Sequence, residues 1–394
     1  MPIFDVAVIG LGAMGSAALY HIAKRGVRVV GFERARPAHE GGSSHGESRA
    51  IRLAYFEHES YVHLLRRAYE NWRALERETG TSLLTITGIL EAGVPGSLPV
   101  EGSRASAALH HLAQDELTGA EASARFPAFS LPPDWVAVFQ PDGGILQAEL
   151  ACVTHVRAAE ANGAEVRTTG IRDIRASSSS VRLQIEDGTT IDVGAVIVAA
   201  GPWMGELVPL LRPHLHLTRQ VLVWFAPRVP ALVRPPRMPI FLLDTREDTV
   251  YGFPDFAGTG VKAASHLPGR PLARAADARQ DASAADAAPV ARVLERFIPA
   301  AAGPVRAMNT CIYTRIRSPR ADGSVDDDFV IDRHPDHPQI VLASPCSGHG
   351  FKFASVVGEI LADLATAGTT RFDLGRFRAA RFAPQAGSMT SSPD

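Results

Sequence analysis

The feature that constrains this chain most is a glycine motif set between a strand pattern and a helix pattern. Residues 10–15 read GLGAMG, which fits GxGxxG, and they follow an apolar run at 5–9 and precede apolar residues at helical spacing. Gly10 permits a tight turn, Gly12 lets the backbone approach a pyrophosphate, and Gly15 lets the helix pack closely on the strand. The motif predicts a dinucleotide-binding βαβ unit.

An acidic residue at the end of the second predicted strand, 27–32, restricts which dinucleotides the motif is expected to bind. Glu33 is placed to bond both hydroxyls of a ribose, which favours NAD or FAD over NADP. A second buried strand pattern at 195–200 ends in Gly201-Pro202-Trp203. Such a strand and glycine turn often return beside the dinucleotide in FAD enzymes, but the motif alone leaves NAD and FAD open.

Chain length and the position of the βαβ patterns predict a two-domain α/β protein. The 394 residues suffice for two domains, and the βαβ-like regions lie far apart with strand-rich sequence between them. We expect a Rossmann-like domain with an inserted domain built on a mixed or antiparallel sheet. The nucleotide-binding domain is predicted to comprise 1–88, 145–218 and 320–385, and the second domain 89–144 and 219–319, with a flexible tail at 386–394.

Several local predictions complete this outline. Helices are expected at 60–79, 148–161 and 353–366, an exposed excursion at 93–108, and a solvated helix or loop at 271–290. Short strands are expected at 164–168, 171–176, 181–186, 329–331 and 340–344.

Composition excludes several classes of protein. With 40 basic and 42 acidic residues the net charge is −2, which argues against a nucleic-acid binder. Three cysteines give no disulfide framework, so a reducing compartment fits best. No apolar stretch is long enough to span a bilayer, and the N-terminus lacks the basic region of a signal peptide. We therefore expect a cytoplasmic protein that binds neither membrane nor nucleic acid and needs no metal.

A run of small residues at 41–52 includes Ser43 and Ser44 and carries His45, Arg49 and Arg52. Small side chains allow the backbone near a flat cofactor ring, and the two arginines suit an anion or an electron-rich ring. A solvated loop with incidental arginines is the alternative.

Lysine is scarce, and two of the three lysines lie in unusual settings. Lys24 sits on the first predicted helix, whereas Lys262 and Lys352 lie in segments rich in glycine and aromatic residues. Where arginine replaces most lysines, a remaining lysine indicates a place that needs a compact ammonium. Cys311 is the first residue of the run CIYT. A single cysteine most often serves as a small, buried apolar side chain.

Taken in order, these motifs resemble the monomeric sarcosine oxidase and N-methyltryptophan oxidase family of D-amino-acid-oxidase-like (DAO) flavoproteins. The resemblance runs from about residue 4 to 380. It rests on the glycine motif with Glu33, the SHGESRAIR run at 44–52, the YGF segment at 251–253 with Lys262 and His266, the CIYT run at 311–314, and SGHGFKF at 347–353.

The resemblance implies the following cofactor and site residues. FAD is attached covalently through Cys311, and Arg52 with Lys352 clamps a substrate carboxylate. Tyr251, Tyr313 and His266 line the substrate cavity, and Lys262 lies where oxygen reacts. The residues implied beside the flavin are His45, Arg49, Ser43, Ser44, Gly201, Gly348, Gly350, Phe351 and Lys352, besides the glycines of the first motif.

The implied reaction is oxidation of a secondary amino acid, N-methyl or cyclic, by hydride transfer to FAD. Imine hydrolysis follows, and O₂ is reduced to H₂O₂. The partners are a small amino acid and O₂, and the protein is a monomer. Three alternatives stay open: a dehydrogenase with a quinone or carrier acceptor, a fructosyl-amine-type oxidase, and an NAD-binding protein without flavin.

Two departures from the family affect these expectations. The segment 314–328 looks longer than usual and follows a cavity residue, which leaves the substrate open. We expect Arg315 or Arg317 to reach the cavity mouth. Cys346 precedes SGHGFKF and is a second candidate for flavin attachment, although packing is its simpler role.

Overall fold

Two large sheets organise the computed structural model, which describes residues 4–278, 281–319 and 325–382. The first has eight strands, and its centre is parallel: Phe4–Ile9 lies between Val29–Glu33 and Thr190–Val198. Its other strands are Glu165–Thr168, Ile171–Ala176, Val181–Ile185, Val330–Arg333 and Ile340–Ser344. The parallel strands Phe4–Ile9, Val29–Glu33 and Ile340–Ser344 are almost wholly buried, which is why they are continuous apolar runs in the sequence.

Helices cover this sheet and share one core. The helix that follows the glycine motif, Ala13–Ala23, packs against Ala148–Ala161 and Ala354–Ala367, and the last of these also contacts Val62–Thr79. Trp72 is fully buried among them.

The second sheet has nine strands and is mixed. Ile240–Asp244 pairs parallel with Ile89–Gly93, while the other strand pairs described in this sheet are antiparallel. The remaining strands are Asp115–Thr118, Val136–Gln140, Leu215–Phe225, Thr249–Phe253, Val261–Ser265, Arg270–Leu272 and Val305–Ile316. Two small sheets are formed by Ser48–Ile51, Leu84–Ile86 and Gly144–Gln147, and by Ser318–Pro319 and Val325–Asp326.

The predicted fold class is confirmed, and so are the principal predicted elements. The helices at 60–79, 148–161 and 353–366 and the short strands from 164 to 198 and from 329 to 344 are present within a few residues of their expected bounds. The predicted domain boundaries stay a prediction, and the tail at 386–394 lies outside the described residues.

The exposed excursion expected at 93–108 is wrong, because a helix forms at Leu98–His110. Pro99 lies in its first turn, where a missing amide proton costs nothing, and Val100, Ser103 and Ala107 are buried on one face. Small side chains that suggested a loop instead let the helix pack closely. Similarly, Ala284–Phe297 is an amphipathic helix with a buried face, so the segment 271–290 is only partly solvated.

The described residues include no helix that is both long and apolar enough to cross a membrane. They also include no group of three or more histidine, cysteine or acidic side chains arranged to hold a metal ion.

Candidate active site

A long cavity begins at the carboxyl ends of the parallel strands and continues to the second sheet. Ile9, Phe32 and Ala199 lie at its first end, and Phe241 and Phe253 at the other. Ligands commonly bind at this edge of a parallel sheet. The predicted site residues in its wall are Gly10, Gly12, Glu33, Ser43, Ser44, Arg49, Arg52, Gly201, Tyr251, His266, Tyr313, Gly348, Gly350, Phe351 and Lys352.

The glycine motif has the geometry that its sequence predicts. Gly10 has φ +85°, and a Cβ on Gly15 would lie 1.7 Å from the Gly10 carbonyl oxygen, so neither position tolerates a larger residue without rearrangement. The Ala13 amide donates to Ser44 Oγ at 3.0 Å, which ties the small-residue run to the start of the first helix.

Glu33 anchors the turn as well as facing the cavity. Its Oε2 accepts from the Leu11 amide at 2.8 Å, and its Oε1 lies 3.4 Å from His39 Nε2. Burial opposes ionisation, but the bonds from His39 and Leu11 outweigh it and lower the pKa of Glu33. The ionised carboxylate keeps lone pairs for ribose hydroxyls.

His45 is enclosed beside Arg49, outside the cavity lining. It is 1% exposed, and within the described chain both of its buried ring nitrogens lack a hydrogen-bond partner. Burial, helped by the nearby charge of Arg49, lowers the pKa of His45 to about 4, so the ring is neutral.

Arg49 is held rigidly by backbone oxygens. Its Nη2 donates to the carbonyls of Ser43 at 3.0 Å and His45 at 2.6 Å, and its guanidinium carbon lies 5.7 Å from the Phe351 ring centre. The Cys311 sulfur is 3.9 Å from the same Nη2. The structure therefore brings His45, Arg49 and Cys311 together. Arg49 lines the cavity, as do Gly10 and Gly12, whereas His45 and Cys311 lie directly behind Arg49 and outside the lining.

Cys311 and Tyr313 lie on one face of the strand Val305–Ile316, since side chains two apart on a strand point the same way. Tyr313 Oη and Tyr251 Oη are 3.1 Å apart in the cavity wall. Burial raises the pKa of Cys311, against the opposing charges of Arg49 and Lys262.

Lys262 lies behind the cavity wall, on the strand Val261–Ser265. Its Nζ donates to Gly46 O at 2.6 Å, Ser48 O at 2.8 Å and Ser48 Oγ at 3.2 Å. Burial and the charge of Arg49 lower its pKa well below the usual range. Three acceptors match the three protons of an ammonium, so the site is built to hold the charge that burial disfavours.

Arg52 is buried and already has an anionic partner. Its Nη2 donates to Glu57 Oε2 at 2.7 Å, and its guanidinium carbon lies 4.7 Å from the Tyr55 ring centre and 4.5 Å from that of Phe56. Burial opposes ionisation of Glu57, but Arg52 prevails and lowers its pKa to about 2. The expected carboxylate clamp thus contains a carboxylate of the protein itself.

Lys352 shares the Tyr55 ring with Arg52. Its Nζ is 5.1 Å from that ring centre and donates to the His349 carbonyl at 2.8 Å. Burial, reinforced by the charge of Arg52, lowers its pKa to about 7. Two cations over one ring, with Glu57 as their neighbouring anion, form a subsite suited to a carboxylate.

His266 lies on the Tyr251 side of the cavity, with its ring centre 6.3 Å from that of Tyr251. Burial lowers its pKa to about 4, so it is neutral at physiological pH. The wall thus combines phenol hydroxyls and neutral imidazoles with the cationic pair.

Neither arginine expected at the cavity mouth contributes to the described wall. Arg315 pairs with Asp327 instead, and the wall at this point is formed by Thr314, Pro345 and Cys346. Burial raises the pKa of Cys346 to about 12, which makes it a poor nucleophile.

Sequence reasoning missed Tyr55, Glu57, Glu91 and His349 as members of the site. Tyr55 Oη lies 2.6 Å from His349 Nδ1, and Glu57 and Glu91 both contact Arg52. The one available signal was Glu91, a charged residue within the apolar strand pattern at 89–93.

Comparisons with known proteins identify the family of this chain. The family described as DAO, FAD dependent oxidoreductase, matches residues 5–364. The chain is 37% identical over 399 residues to a monomeric sarcosine oxidase of Streptomyces avermitilis, covering 97% of this chain and 98% of that protein. It is 32% identical over 382 residues to an N-methyl-L-tryptophan oxidase of Yersinia pestis, covering 96% and 99%.

A solved structure has the same fold. The open form of NikD, an unusual amino acid oxidase essential for nikkomycin biosynthesis, superposes with a TM-score of 0.83. The match has 24% sequence identity and covers 95% of this chain and 97% of that chain. At this identity the similarity concerns the fold alone.

Proposed function

The chain belongs to the DAO family of FAD-dependent oxidoreductases, and from this premise we propose that it is an oxidase of a secondary amino acid, N-methyl or cyclic. When bound, FAD would accept two electrons from the amine and pass them to O₂, which yields H₂O₂. The observation that carries the proposal is that Arg52 and Lys352 both lie over the Tyr55 ring. They line the same cavity as Gly10 and Gly12 of the glycine motif.

The chain's own residues have separable roles in this proposal. The cationic pair binds and orients the substrate carboxylate, and Tyr251 and Tyr313 place hydroxyl groups beside it. His266 is neutral at physiological pH, so it adds no positive charge to the wall and offers a ring nitrogen that can accept a hydrogen bond from a substrate amine. The buried ammonium of Lys262 would stabilise negative charge that develops as oxygen is reduced.

We also propose that Cys311 is the covalent attachment point of FAD. Its support is the contact of its sulfur with Arg49, a residue of the cavity wall, and its position on the same strand face as the wall residue Tyr313. Cys152, Cys311 and Cys346 form no disulfide with one another, which supports action in a reducing, cytoplasmic setting. By analogy with the name of its sarcosine-oxidising relatives, we propose that it acts as a monomer.

The test begins with the visible spectrum of the purified protein, before and after acid precipitation. Yellow colour that stays in the pellet supports covalent FAD, and yellow colour in the supernatant overturns the Cys311 attachment alone. The holoenzyme is then screened for H₂O₂ release with sarcosine, N-methyltryptophan, pipecolate, proline and fructosyl-glycine. Amine-dependent bleaching without H₂O₂ indicates the dehydrogenase alternative, and a protein that cannot be loaded with flavin refutes the proposal.

A further inference from the structure

Glu91 is a carboxylate inside the second sheet, on the strand Ile89–Gly93, and its side chain is 0% exposed. Its Oε2 accepts from Ser103 Oγ at 2.5 Å and from Gln140 Nε2 at 2.8 Å. Its Oε1 lies 3.2 Å from Arg52 Nε, as an ion pair rather than an aligned hydrogen bond. A buried charge of this kind is costly, so a strand tolerates it only where partners are provided.

Two carboxylates therefore share one edge of the Arg52 guanidinium. Glu91 faces Nε from inside the sheet, while Glu57 Oε2 takes Nη2 at 2.7 Å. The two differ in access: the Glu57 side chain is 16% exposed and lines the cavity, whereas Glu91 is sealed from it. Only the Glu57 half of this arrangement is open to an incoming ligand.

The shared edge decides how tightly Glu57 holds Arg52. Through Nε and Nη2 an arginine can donate two parallel hydrogen bonds to one carboxylate. Since Glu91 occupies the Nε half, Glu57 is restricted to a single bond through Nη2. Without Glu91, Glu57 could bind both Nε and Nη2 of Arg52, and no other carboxylate could then bind to this edge of the guanidinium.

Gln140 fixes this geometry from the backbone side. Besides donating to Glu91, its Oε1 accepts from the Ala54 amide at 3.0 Å, two residues after Arg52. The rings of Tyr55 and Phe56 lie against the guanidinium and limit its rotation. Glu91 is thus one of several residues that together fix the position of the Arg52 side chain.

We propose that Glu91 is a positioning residue that keeps the Arg52–Glu57 pair exchangeable, so that a substrate carboxylate can replace Glu57 on Nη2. The inference rests on the proposed function, because it presumes that Arg52 receives the substrate carboxylate. Glu91 itself touches neither substrate nor cofactor in this arrangement.

The test compares a planar carboxylate, 2-furoate, with its uncharged counterpart, 2-furamide, by titrating the visible spectrum of the holoenzyme. In Glu91→Gln we expect the Kd for 2-furoate to rise at least tenfold and that for 2-furamide to change less than twofold. General damage to the cavity would weaken both ligands alike. The matched control is Glu359→Gln, a partly buried acid paired with Arg67 away from the cavity, for which both Kd values should be unchanged.

A double variant separates the mechanism from a simple loss of charge. If Glu57 closes on Arg52 when Glu91 is absent, Glu57→Gln/Glu91→Gln should bind 2-furoate at least as well as Glu57→Gln alone. Should Glu91→Gln not fold, Glu91→Asp keeps the charge but withdraws it from Nε, and a smaller rise in the 2-furoate Kd is expected.

An unchanged or improved 2-furoate affinity in both Glu91 variants would overturn the inference, and so would equal losses for the two ligands. An additive loss in the double variant would overturn the exchange with Glu57. If the wild-type holoenzyme itself does not prefer 2-furoate to 2-furamide, the carboxylate subsite of the proposed function fails, and this inference fails with it.

Discussion

The sulfur of Cys311 lies 3.9 Å from Nη2 of Arg49, although the two residues are 262 positions apart in the chain. The strand Val305–Ile316 and the small-residue run at 41–52 meet here, next to the buried ring of His45. Burial raises the pKa of the thiol, while the charges of Arg49 and Lys262 oppose that rise and favour a thiolate at this position.

The first prediction concerns the covalent link. Cys311→Ala should bind FAD without covalent attachment, so the flavin should appear in the supernatant after acid precipitation. Cys346→Ala and Cys152→Ala serve as matched controls, since burial raises the pKa of each of these thiols to about 12. Both should retain flavin in the pellet. Acid-stable flavin in Cys311→Ala that disappears in Cys346→Ala would move the attachment to Cys346.

The second prediction concerns the carboxylate clamp. Arg52→Gln should raise KM for the amino acid substrate about 10- to 150-fold, because a charge-assisted pair is worth about 1.5–3 kcal/mol. The change also leaves Glu57 and Glu91 without their cation, so Tm should fall in the same variant. Both quantities can be measured on protein that retains its flavin spectrum.

Arg67→Gln is the control for that experiment. Arg67 pairs with Glu359 outside the described cavity wall, so its loss should change KM less than twofold. An unchanged KM in Arg52→Gln would mean that the carboxylate binds elsewhere.

Local sequence patterns predicted the parts of this fold that depend on neighbours in the chain. The turn at Gly10 and the packing of Gly15 follow from a strand, a glycine and a helix in sequence, and the structure shows both contacts. The helix at 98–110 was missed because its glycine, serine and proline content is typical of loops, while its buried face depends on the sheet beneath it.

The acidic partners of Arg52 were not predicted from the sequence. Arg52 was identified as a candidate, but the two acids that hold it are 5 and 39 positions away, one in a loop and one in a strand. Nothing local to Glu91 indicates that its strand brings the carboxylate behind Arg52, because that depends on pairing with Val136–Gln140 and Ile240–Asp244. A resemblance to a family assigns roles to residues at matching positions. The contact between Glu91 and Arg52, by contrast, follows from the register of the strands in the sheet.

The third prediction concerns the oxygen reaction. Lys262→Met should slow reoxidation of the reduced enzyme by O₂ on the order of 10²-fold, the size expected when one preorganised charge-stabilising donor is removed. Anaerobic reduction by substrate should change much less, because Lys262 lies behind the cavity wall and donates to Gly46 and Ser48. Stopped-flow absorbance measures the two half-reactions separately.

Lys24→Met is the matched control, since Lys24 lies at the end of the first helix in an ion pair with Glu78 at 2.5 Å. Neither half-reaction should change in that variant. Equal slowing of both half-reactions in Lys262→Met would refute its role with oxygen.

The last prediction concerns the pH dependence of carboxylate binding. Burial and the charge of Arg52 lower the pKa of Lys352 to about 7, so its ammonium is present below that pH and lost above it. The affinity for 2-furoate, which has no amine to titrate, should therefore be greatest below about pH 7 and fall as the pH rises. His266 and His349, with pKa values of about 4, remain neutral throughout this range. Lys352→Met should bind more weakly at low pH and show no slope; a flat wild-type profile, or a slope that persists in the variant, would contradict the assignment.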